Sequence, residues 1–302
     1  MDPSPLPSPA ELSPIELARI VDVALAEDLA AGDVTTRAVI PADALARGAF
    51  VSRERAVLAG VGVAAYVFQR VDPRVRFEAL RADGAALEPG DVVARVEGGA
   101  HGVLTAERVA LNLLQRMCGT ATRARDFAAR VPAGCATRVT DTRKTTPGLR
   151  ALERYAVRMG GAHNHRNDLG SAVLIKDNHV AVCGGVRAAI ERARRAAPHT
   201  MRVECEVQSL GELEEALAAG ADVIMLDNFD DDAVAEALRR VSSRAPRPVI
   251  EASGGVGLDR VERLARLGVD VISVGSLTHG ARAIDIGLDL ELSGAWTTST
   301  AS

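Results

Sequence analysis

The residues best suited to chemistry in this sequence are its two lysines, Lys144 and Lys176. Arginine fills every other position among the 36 lysines and arginines. An ammonium is a compact charge on a flexible stem, whereas a guanidinium is a planar fork that stays charged, so the two are not interchangeable at a reacting centre. Lys144 follows residues 141–143, and Lys176 follows an apolar run at residues 172–175. Both stand where a strand is predicted to end, which indicates a functional role for each ammonium.

A repeating pattern of strands and helices begins after residue 133. Apolar runs typical of buried strands end near Asp141, Lys176, Val207, Asp227, Ala252 and Gly275. Helical periodicity fills most of the intervals, for example at residues 210–219 and 258–267, and this alternation predicts parallel strands joined by crossover helices. A barrel and an open doubly wound sheet both produce such a pattern. We favour an incomplete TIM-like α/β barrel, because reactive residues stand at nearly every strand end.

The strand ends of a parallel barrel meet at one mouth, so their side chains are expected to share a site. The segment at residues 163–168, between the first two strands, adds histidines and an arginine. The cationic candidates at this mouth, with Thr142 beside them, are Arg143, Lys144, His165, Arg166 and Lys176. Glu206 and Asp227 are the carboxylates at the strand ends. The excess of positive charge therefore predicts a strongly anionic ligand.

Glycines near the last two strands predict a phosphate site. Ser253, Gly254 and Gly255 lie between an apolar run and a helix expected from Leu258 onward. Backbone N–H groups at a helix N-terminus bind phosphate where glycine leaves room for the anion. The residues that follow the next strand are Gly275, Ser276 and His279, the last of which would add a charged donor. Barrels commonly bind phosphate at these two loops.

The two strand-end carboxylates allow two interpretations. Glu206 and Asp227 could hold Mg²⁺, which prefers one or two carboxylates together with phosphate oxygens of a substrate. They could instead accept hydrogen bonds from sugar hydroxyls. The sequence leaves both interpretations open.

Composition narrows the class of protein. The 302 residues are 47% hydrophobic and 25% charged, enough to bury a substantial core. A net charge of −4 provides no global attraction for nucleic acid or an anionic membrane. The four cysteines form no C-x-x-C pair, which fits a reducing cytoplasm. Residues 1–13, rich in proline and serine, lack the pattern of a signal peptide or membrane anchor and are predicted to be a disordered tail.

Four segments together resemble the nicotinate-nucleotide pyrophosphorylase family, also called quinolinate phosphoribosyltransferase. They are AERVALNLLQR at residues 106–116, DTRKTTPGLR at 141–150, GGAHNHR at 160–166 and LIKDNH at 174–179. The resemblance implies transfer of the phosphoribosyl group of phosphoribosyl pyrophosphate to quinolinate with decarboxylation. The products would be nicotinate mononucleotide, for NAD synthesis, together with pyrophosphate and CO₂. It also implies Mg²⁺ as cofactor.

The resemblance assigns roles residue by residue. Quinolinate would be held by Arg143, Arg166, Lys176 and His165, with Arg116 reaching the neighbouring site of a homodimer. Lys144 would face the pyrophosphate as a catalytic group. Glu206 and Asp227 would hold ribose hydroxyls and, directly or through water, the metal. The phosphate-binding positions would be Ser253, Gly254, Gly255, Gly275, Ser276 and His279. Near Arg116, Cys118 and Thr120 depart from the family's usual Ser and Ile.

The same reasoning predicts the domain organisation. An N-terminal α+β sandwich domain is expected over residues 14–117 and the barrel over residues 118–279. A C-terminal helix at residues 280–296 is expected to join the first domain. A long helix from about Leu104 to Arg130, interrupted at Gly119, is expected to link the two.

Three alternatives remain open at this point. A protein of the same fold could act on another anionic heterocycle. Lys176 at a strand end could instead attack a carbonyl as the Schiff-base lysine of an aldolase-type lyase. A non-catalytic sensor would bind phosphoribosyl pyrophosphate without releasing pyrophosphate.

Overall fold

The computed structural model describes residues 12–291, which divide into two compact units. The first unit contains the described residues up to Arg123, residues 146–160 and the described residues from Ala281 onward. The second contains residues 124–145 and 161–280. Apart from residues 12 and 13, the predicted disordered tail lies outside the described residues. No helix between residues 12 and 291 is long and apolar enough to cross a membrane.

The helices and strands are numbered along the chain. The helices are α1 (Pro14–Asp28), α2 (Val34–Val39), α3 (Val61–Val71), α4 (Ala100–Ala128), α5 (Arg150–Met159), α6 (Asp177–Cys183), α7 (Val186–Ala196), α8 (Leu210–Ala219), α9 (Asp231–Ser242) and α10 (Leu258–Leu267). The strands are β1 (Leu45–Ser52), β2 (Ala56–Val57), β3 (Arg76–Ala79), β4 (Ala86–Leu87), β5 (Val92–Gly99), β6 (Arg138–Thr140), β7 (Val173–Ile175), β8 (Val203–Val207), β9 (Val223–Asp227), β10 (Val249–Ser253), β11 (Val271–Ser273) and β12 (Ile286–Leu290).

The first unit is built on a four-stranded antiparallel sheet in the order β12-β1-β5-β3. Alternate side chains of these strands point to one face and pack on helices α3 and α4 in a continuous apolar core. Three aromatic rings, Phe50, Phe68 and Phe77, meet there with centroids 5.5–5.9 Å apart. The predicted small N-terminal α+β domain is therefore confirmed.

Helix α5 belongs to the first unit, although the sequence placed residues 118–279 together in the barrel. Its side chains Leu152, Tyr155 and Met159 are buried in the core of the first unit. The Tyr155 hydroxyl also donates a hydrogen bond of 2.7 Å to Asp83. The boundary differs from the expected one because the packing partners of this helix are distant in the sequence.

The predicted helix at residues 280–296 is wrong for its described part, because residues 286–290 form strand β12. This strand pairs antiparallel with β1, from Ser52 opposite Ile286 to Gly48 opposite Leu290. Apolar residues at 286, 288 and 290 alternate with Gly287 and Asp289. That spacing has the period of a strand with one face on a core. The expectation that the C-terminal segment joins the first unit agrees with this pairing.

Helix α4 runs without a break through Gly119, where the sequence suggested an interruption. The backbone at Arg282 comes close to this glycine, since a Cβ at Gly119 would lie 1.8 Å from the carbonyl oxygen of Arg282. Because backbone cannot yield as a flexible side chain does, we expect Gly119→Ala to lower the free energy of unfolding by about 2 kcal/mol. Urea unfolding measures this change.

The matched control for that substitution is Gly99→Ala. A Cβ at Gly99 would meet nothing within 4 Å, so its free energy of unfolding should stay within about 0.5 kcal/mol of the parent protein. Equal unfolding midpoints for both variants would show that the close approach at Gly119 does not exist.

An ion pair near the C-terminal strand predicts a pH-dependent contribution to stability. Glu54 accepts hydrogen bonds from Arg282 Nη1 at 2.8 Å and from the N–H of Asp285 at 2.9 Å. These bonds, the Arg282 contact first, lower the pKa of Glu54 to about 2. A carboxylate with a lowered folded-state pKa stabilises the protein above its unfolded-state pKa, and the contribution is lost as the pH falls through the folded-state value.

We therefore expect Glu54→Gln to lower the free energy of unfolding at pH 7 by about 1 kcal/mol, the upper range for a partly exposed pair. The difference from the parent protein should shrink as the pH falls from 4.5, the ordinary pKa of a glutamate, to about 2, the pKa of Glu54 in the folded protein. Urea unfolding over this range of pH measures it. A difference that stays constant with pH would contradict the assignment.

The second unit is a six-stranded parallel sheet in the order β6-β11-β10-β9-β8-β7. From β7 to β11, each strand lies beside the next one in the chain, and β11 returns to pair with β6. This is the strand order of a barrel that is open between β6 and β7, and it contains none of the reversal of a doubly wound sheet. An isolated bridge between Thr140 and His163 lies at the open edge of β6. The predicted incomplete barrel is confirmed.

Candidate active site

The residues predicted for the barrel mouth lie at the carboxyl ends of the strands. Residues 142–144 follow β6, Lys176 follows β7, and Gly275 follows β11. Glu206 lies near the end of β8, while Asp227 and Ser253 end β9 and β10. Because the strands are parallel, these ends occupy one edge of the sheet.

Lys144 lies against the last strand-end loop. A Cβ added at Gly275 would lie 2.9 Å from Lys144 Cδ and 3.3 Å from His279 Nε2, so only glycine leaves room for both side chains. The Thr278 hydroxyl donates to the carbonyl of Lys144 at 2.7 Å, and the N–H of Lys144 donates to the Thr142 hydroxyl at 3.1 Å. Lys144 is exposed, and within residues 12–291 it makes no ion pair. Its ammonium is therefore placed to meet an incoming anion.

Arg143 and Arg166 are neighbouring guanidinium groups, and neither makes an ion pair within 4.0 Å among the described residues, although Glu204 and Asp168 lie near Arg166. Arg143 Nε and Nη1 are buried and have no hydrogen-bond partner among the described residues. Arg166 Nη1 donates to the carbonyl of Ala172 at 3.0 Å. Burial, followed by the positive charge of Arg143, lowers the pKa of Arg166, as expected of two neighbouring cations. Buried donors without partners are costly, and an anionic ligand would satisfy them.

The glycine loop after β10 is built around Asn228. Asn228 adopts a left-handed backbone conformation, with φ of 58°, and its N–H donates to the carbonyl of Ser253 at 3.0 Å. A Cβ at Gly254, where φ is +92°, would come within 2.2 Å of Asn228 Oδ1. The Asn228 side-chain amide also donates to Asp227 Oδ2 at 2.9 Å. Asn228 thus fixes both the glycine loop and the carboxylate at the end of β9.

The same loop leaves open space before a helix N-terminus. A Cβ at Gly255 would meet nothing within 4 Å. Helix α10 begins at Leu258, and its N-cap residue Gly257 supplies no side-chain hydrogen bond to the free N–H groups. Free N–H groups and the positive end of the helix dipole suit a phosphate. Ser276 lies in a 3-10 turn, Gly275–Leu277, on the neighbouring strand-end loop.

Lys176 is paired with Glu206. Its Nζ lies 3.1 Å from Glu206 Oε2, and the side chain of Lys176 is 50% exposed. A Schiff-base lysine needs a neutral amine, usually in desolvated surroundings. The carboxylate and the exposure therefore argue against the aldolase-type lyase.

His165 contacts two buried acids. Its Nε2 is 3.3 Å from Glu251 Oε2 and 3.5 Å from Glu204 Oε2, and its Nδ1 accepts the N–H of Arg166 at 2.7 Å. Burial opposes charge on the ring, but the contacts with the glutamates outweigh it and raise the pKa of His165 to about 10. The N–H of Arg166 opposes a second ring proton at Nδ1. From this contact we place a ring proton on Nε2, the atom that faces the two carboxylates.

Sequence reasoning missed three residues of this site, Glu204, Glu251 and Asn228. Glu204 and Glu206 are two positions apart in the buried strand β8, so both point to the same face. Glu251 interrupts the apolar run of β10 and is 3% exposed. An acid within a continuous apolar strand was the signal that could have identified both glutamates. The left-handed preference of asparagine was the weaker signal for Asn228.

Arg116 lies in the first unit, apart in the chain from the other predicted residues. Its Nη2 donates to Glu153 Oε1 at 2.6 Å, and its Nη1 donates to the carbonyl of Ala281 at 2.7 Å. The Thr146 hydroxyl accepts a further bond of 3.2 Å from Nη2. Glu153 is fully buried. The guanidinium is thus held in place within its own chain, and its predicted action across a dimer stays a prediction.

The chain combines an open α/β barrel, with cations and glycine loops at its strand ends, and a small antiparallel unit. These features define a class of anion-binding barrel proteins. Models of two domain families cover nearly all of the described chain. Residues 33–118 match the quinolinate phosphoribosyl transferase N-terminal domain, and residues 120–289 match the C-terminal domain. The chain belongs to the quinolinate phosphoribosyl transferase family.

Relatives agree with this assignment. The nicotinate-nucleotide pyrophosphorylase [carboxylating] of Mycobacterium leprae is 46% identical over 88% of this chain and 94% of its own length. The human protein of the same name is 40% identical over 92% of this chain and 93% of its own length. The crystal structure of NadC from Streptococcus pyogenes superposes with a TM-score of 0.88 at 39% identity, covering 93% of this chain and 98% of that chain.

Proposed function

We propose that this protein transfers the phosphoribosyl group of phosphoribosyl pyrophosphate to quinolinate and decarboxylates the product. Nicotinate mononucleotide, pyrophosphate and CO₂ are released, as a step of NAD biosynthesis. The observation that carries the proposal is the pair of neighbouring guanidinium groups, Arg143 and Arg166, of which Arg143 has two buried donors without a partner among the described residues. Two such cations match a pyridine that carries two adjacent carboxylates.

Quinolinate is proposed to bind between Arg143, Arg166 and Lys176, with His165 behind Arg166. In a homodimer, Arg116 of the partner subunit would complete the site. The contact of Lys176 with Glu206 holds its ammonium at the strand end, so a carboxylate of the substrate would share it. The homodimer and a cytoplasmic location are both part of the proposal. Analytical ultracentrifugation, which gives the number of subunits, tests the dimer.

Phosphoribosyl pyrophosphate is proposed to occupy the remaining strand ends. The 5′-phosphate would bind at the open glycine loops, whose residues are Ser253, Gly254, Gly255, Gly275, Ser276 and His279. Glu206 and Asp227 would accept hydrogen bonds from the ribose hydroxyls, and Thr142 would add a hydroxyl beside Lys144. The exposed ammonium of Lys144 would face the pyrophosphate.

The chemistry requires no protein nucleophile. The pyridine nitrogen attacks C1 of the ribose as the bond to pyrophosphate breaks through an oxocarbenium-like transition state. Lys144 stabilises the negative charge that develops on the leaving pyrophosphate, and the guanidinium groups hold quinolinate in line with C1 of the ribose. The ring nitrogen is then cationic and stabilises the electron pair that the departing CO₂ leaves on the adjacent ring carbon. A proton from water replaces the carboxylate on the ring.

Mg²⁺ is proposed as the cofactor. Lys176 contacts Glu206 Oε2, and Asn228 contacts Asp227 Oδ2. Among the described residues, the other oxygen of each carboxylate has no hydrogen-bond partner. One or two carboxylate oxygens suit Mg²⁺ that is also held by substrate phosphates, directly or through water. The ion would supply positive charge to the pyrophosphate.

The direct test is an assay for pyrophosphate and CO₂ with quinolinate, phosphoribosyl pyrophosphate and Mg²⁺. Both products should appear in equal amounts, and EDTA should stop their release. Nicotinate in place of quinolinate serves as the control, because it lacks the carboxylate that leaves. Binding of phosphoribosyl pyrophosphate without release of pyrophosphate would identify a sensor. Turnover of a different heterocycle in preference to quinolinate would identify a related enzyme.

A further inference from the structure

His165, Glu204 and Glu251 form a buried cluster beneath the barrel mouth, and neither glutamate has a role in the chemistry described so far. The side chains of Glu204 and Glu251 are 7% and 3% exposed, and that of His165 is 13% exposed. Both glutamates direct Oε2 to the imidazole, while both Oε1 atoms are buried without a hydrogen-bond partner. Two carboxylates gathered around one ring in a buried site are costly. An arrangement of this kind suggests a function.

The ring of His165 uses both of its nitrogens within the chain. The proton on Nε2 points to the two carboxylates, and Nδ1 accepts the N–H of Arg166 at 2.7 Å. The backbone N–H of His165 in turn donates to Asp141 Oδ1 at 2.7 Å, and Asp141 is fully buried. A direct contact between the ring and a ligand would have to break one of these bonds. The cluster instead fixes the backbone from which Arg166 extends.

We infer that Glu204 and Glu251 are positioning residues that act through His165 to fix the backbone and guanidinium of Arg166 for the substrate. This inference rests on the proposed role of Arg166 in binding quinolinate. The loop that carries Arg166 lies at the open edge of the barrel, where the Thr140–His163 bridge is its one ladder contact with a strand among the described residues. A loop with so little strand pairing needs side-chain contacts to hold a guanidinium in a defined place.

A metal site is the competing interpretation of the same cluster. Within residues 12–291, these three side chains are the one group of histidine, cysteine and acidic residues whose ligand atoms all lie within 4.8 Å of one another. A histidine that binds a metal through Nε2 usually donates a proton from Nδ1 to a second partner. Here Nδ1 accepts a hydrogen bond from the backbone N–H of Arg166. Nε2 therefore carries the ring proton and has no lone pair for a metal.

The test is the sign of the change in quinolinate affinity on Glu251→Gln. Positioning predicts that the dissociation constant rises about fivefold, because the weaker amide contact loosens His165 and hence Arg166. A purely electrostatic role predicts tighter binding, because a negative charge near a dianionic substrate is removed.

Calorimetry with quinolinate measures the dissociation constant. Titration with phosphoribosyl pyrophosphate, whose affinity should be unaffected, separates positioning from a general loss of structure. Glu204→Gln should behave alike and serves if Glu251→Gln does not fold.

Two further variants complete the experiment. In an Arg166→Ala background, Glu251→Gln should have no additional effect, since the guanidinium that it positions is absent. Glu262→Gln removes an exposed charge of helix α10 and should leave the quinolinate constant unchanged. Unchanged or tighter binding in Glu251→Gln, or the same weakening with and without Arg166, would overturn the inference. If Arg166→Ala alone has no effect, the proposed role of Arg166 fails instead.

Discussion

Lys144→Ala is expected to lower kcat by roughly 10²–10³ while the dissociation constant of quinolinate stays within about threefold of the parent value. The ammonium acts on charge that develops on the pyrophosphate only as its bond to ribose breaks, so its loss raises the barrier more than it weakens the ground state. Steady-state kinetics with both substrates gives kcat, and calorimetry gives the quinolinate constant.

The informative control for Lys144 is Lys144→Arg, which keeps the charge and changes its shape. The Lys144 stem passes close to Gly275, where a Cβ would lie 2.9 Å from its Cδ, and a guanidinium would carry a larger, branched head on a similar stem. We expect Lys144→Arg to recover only part of the lost rate, because a planar fork does not replace a compact ammonium at this distance. Full activity in Lys144→Arg, or a large loss of quinolinate affinity in Lys144→Ala, would contradict the assigned role.

The sequence was sufficient to predict the barrel and most of its mouth because the signals are local. Strands β6 to β11 are buried in a parallel sheet, and such strands appear as short apolar runs that stop at charged or glycine residues. Their ends at Thr140, Ile175 and Ser273 lie within two residues of the predicted positions. Once the strands are parallel, the position of each reactive residue at one edge follows from chain direction alone.

Strand β12 and helix α5 were misplaced because their partners are far away in the sequence. Helix α5 has an apolar face, but its own residues do not indicate that it packs in the core of the first unit and hydrogen-bonds Asp83. Strand β12 did have a local signal, the alternation of Ile286, Leu288 and Leu290. A C-terminal helix was predicted in spite of this two-residue alternation.

The buried acids of the site were missed for a different reason. Glu204 and Glu251 belong to separate strands, and their partner His165 comes from a loop that precedes both. A buried charge is tolerated only with its partner in place, so the pattern becomes visible when the three side chains are seen together. Sequence reasoning identified the cations at the strand ends, and the structure adds the buried acids next to His165.

Arg166→Ala is expected to raise the dissociation constant of quinolinate by about 10–100-fold, because charge-assisted hydrogen bonds to a carboxylate are lost. The constant for phosphoribosyl pyrophosphate should change by less than about threefold, since the loops proposed to bind phosphate follow β10 and β11. Calorimetry with each substrate separately measures both constants, and kcat at saturating quinolinate should fall by less than about tenfold.

The two substitutions together decide whether binding and catalysis are divided between neighbouring cations. Arg195→Ala is the matched control for Arg166→Ala, because Arg195 is an exposed arginine at the end of helix α7 and should leave every constant unchanged. Arg166 donates a hydrogen bond to the carbonyl of Ala172 and lies near the cationic Arg143, an environment suited to binding a carboxylate. Lys144 has an exposed ammonium beside a glycine, the environment of a group that meets a leaving anion. If Lys144→Ala and Arg166→Ala change the same constants by the same factors, the division between a catalytic lysine and a binding arginine is wrong. The two cations would then contribute equally to binding and to catalysis.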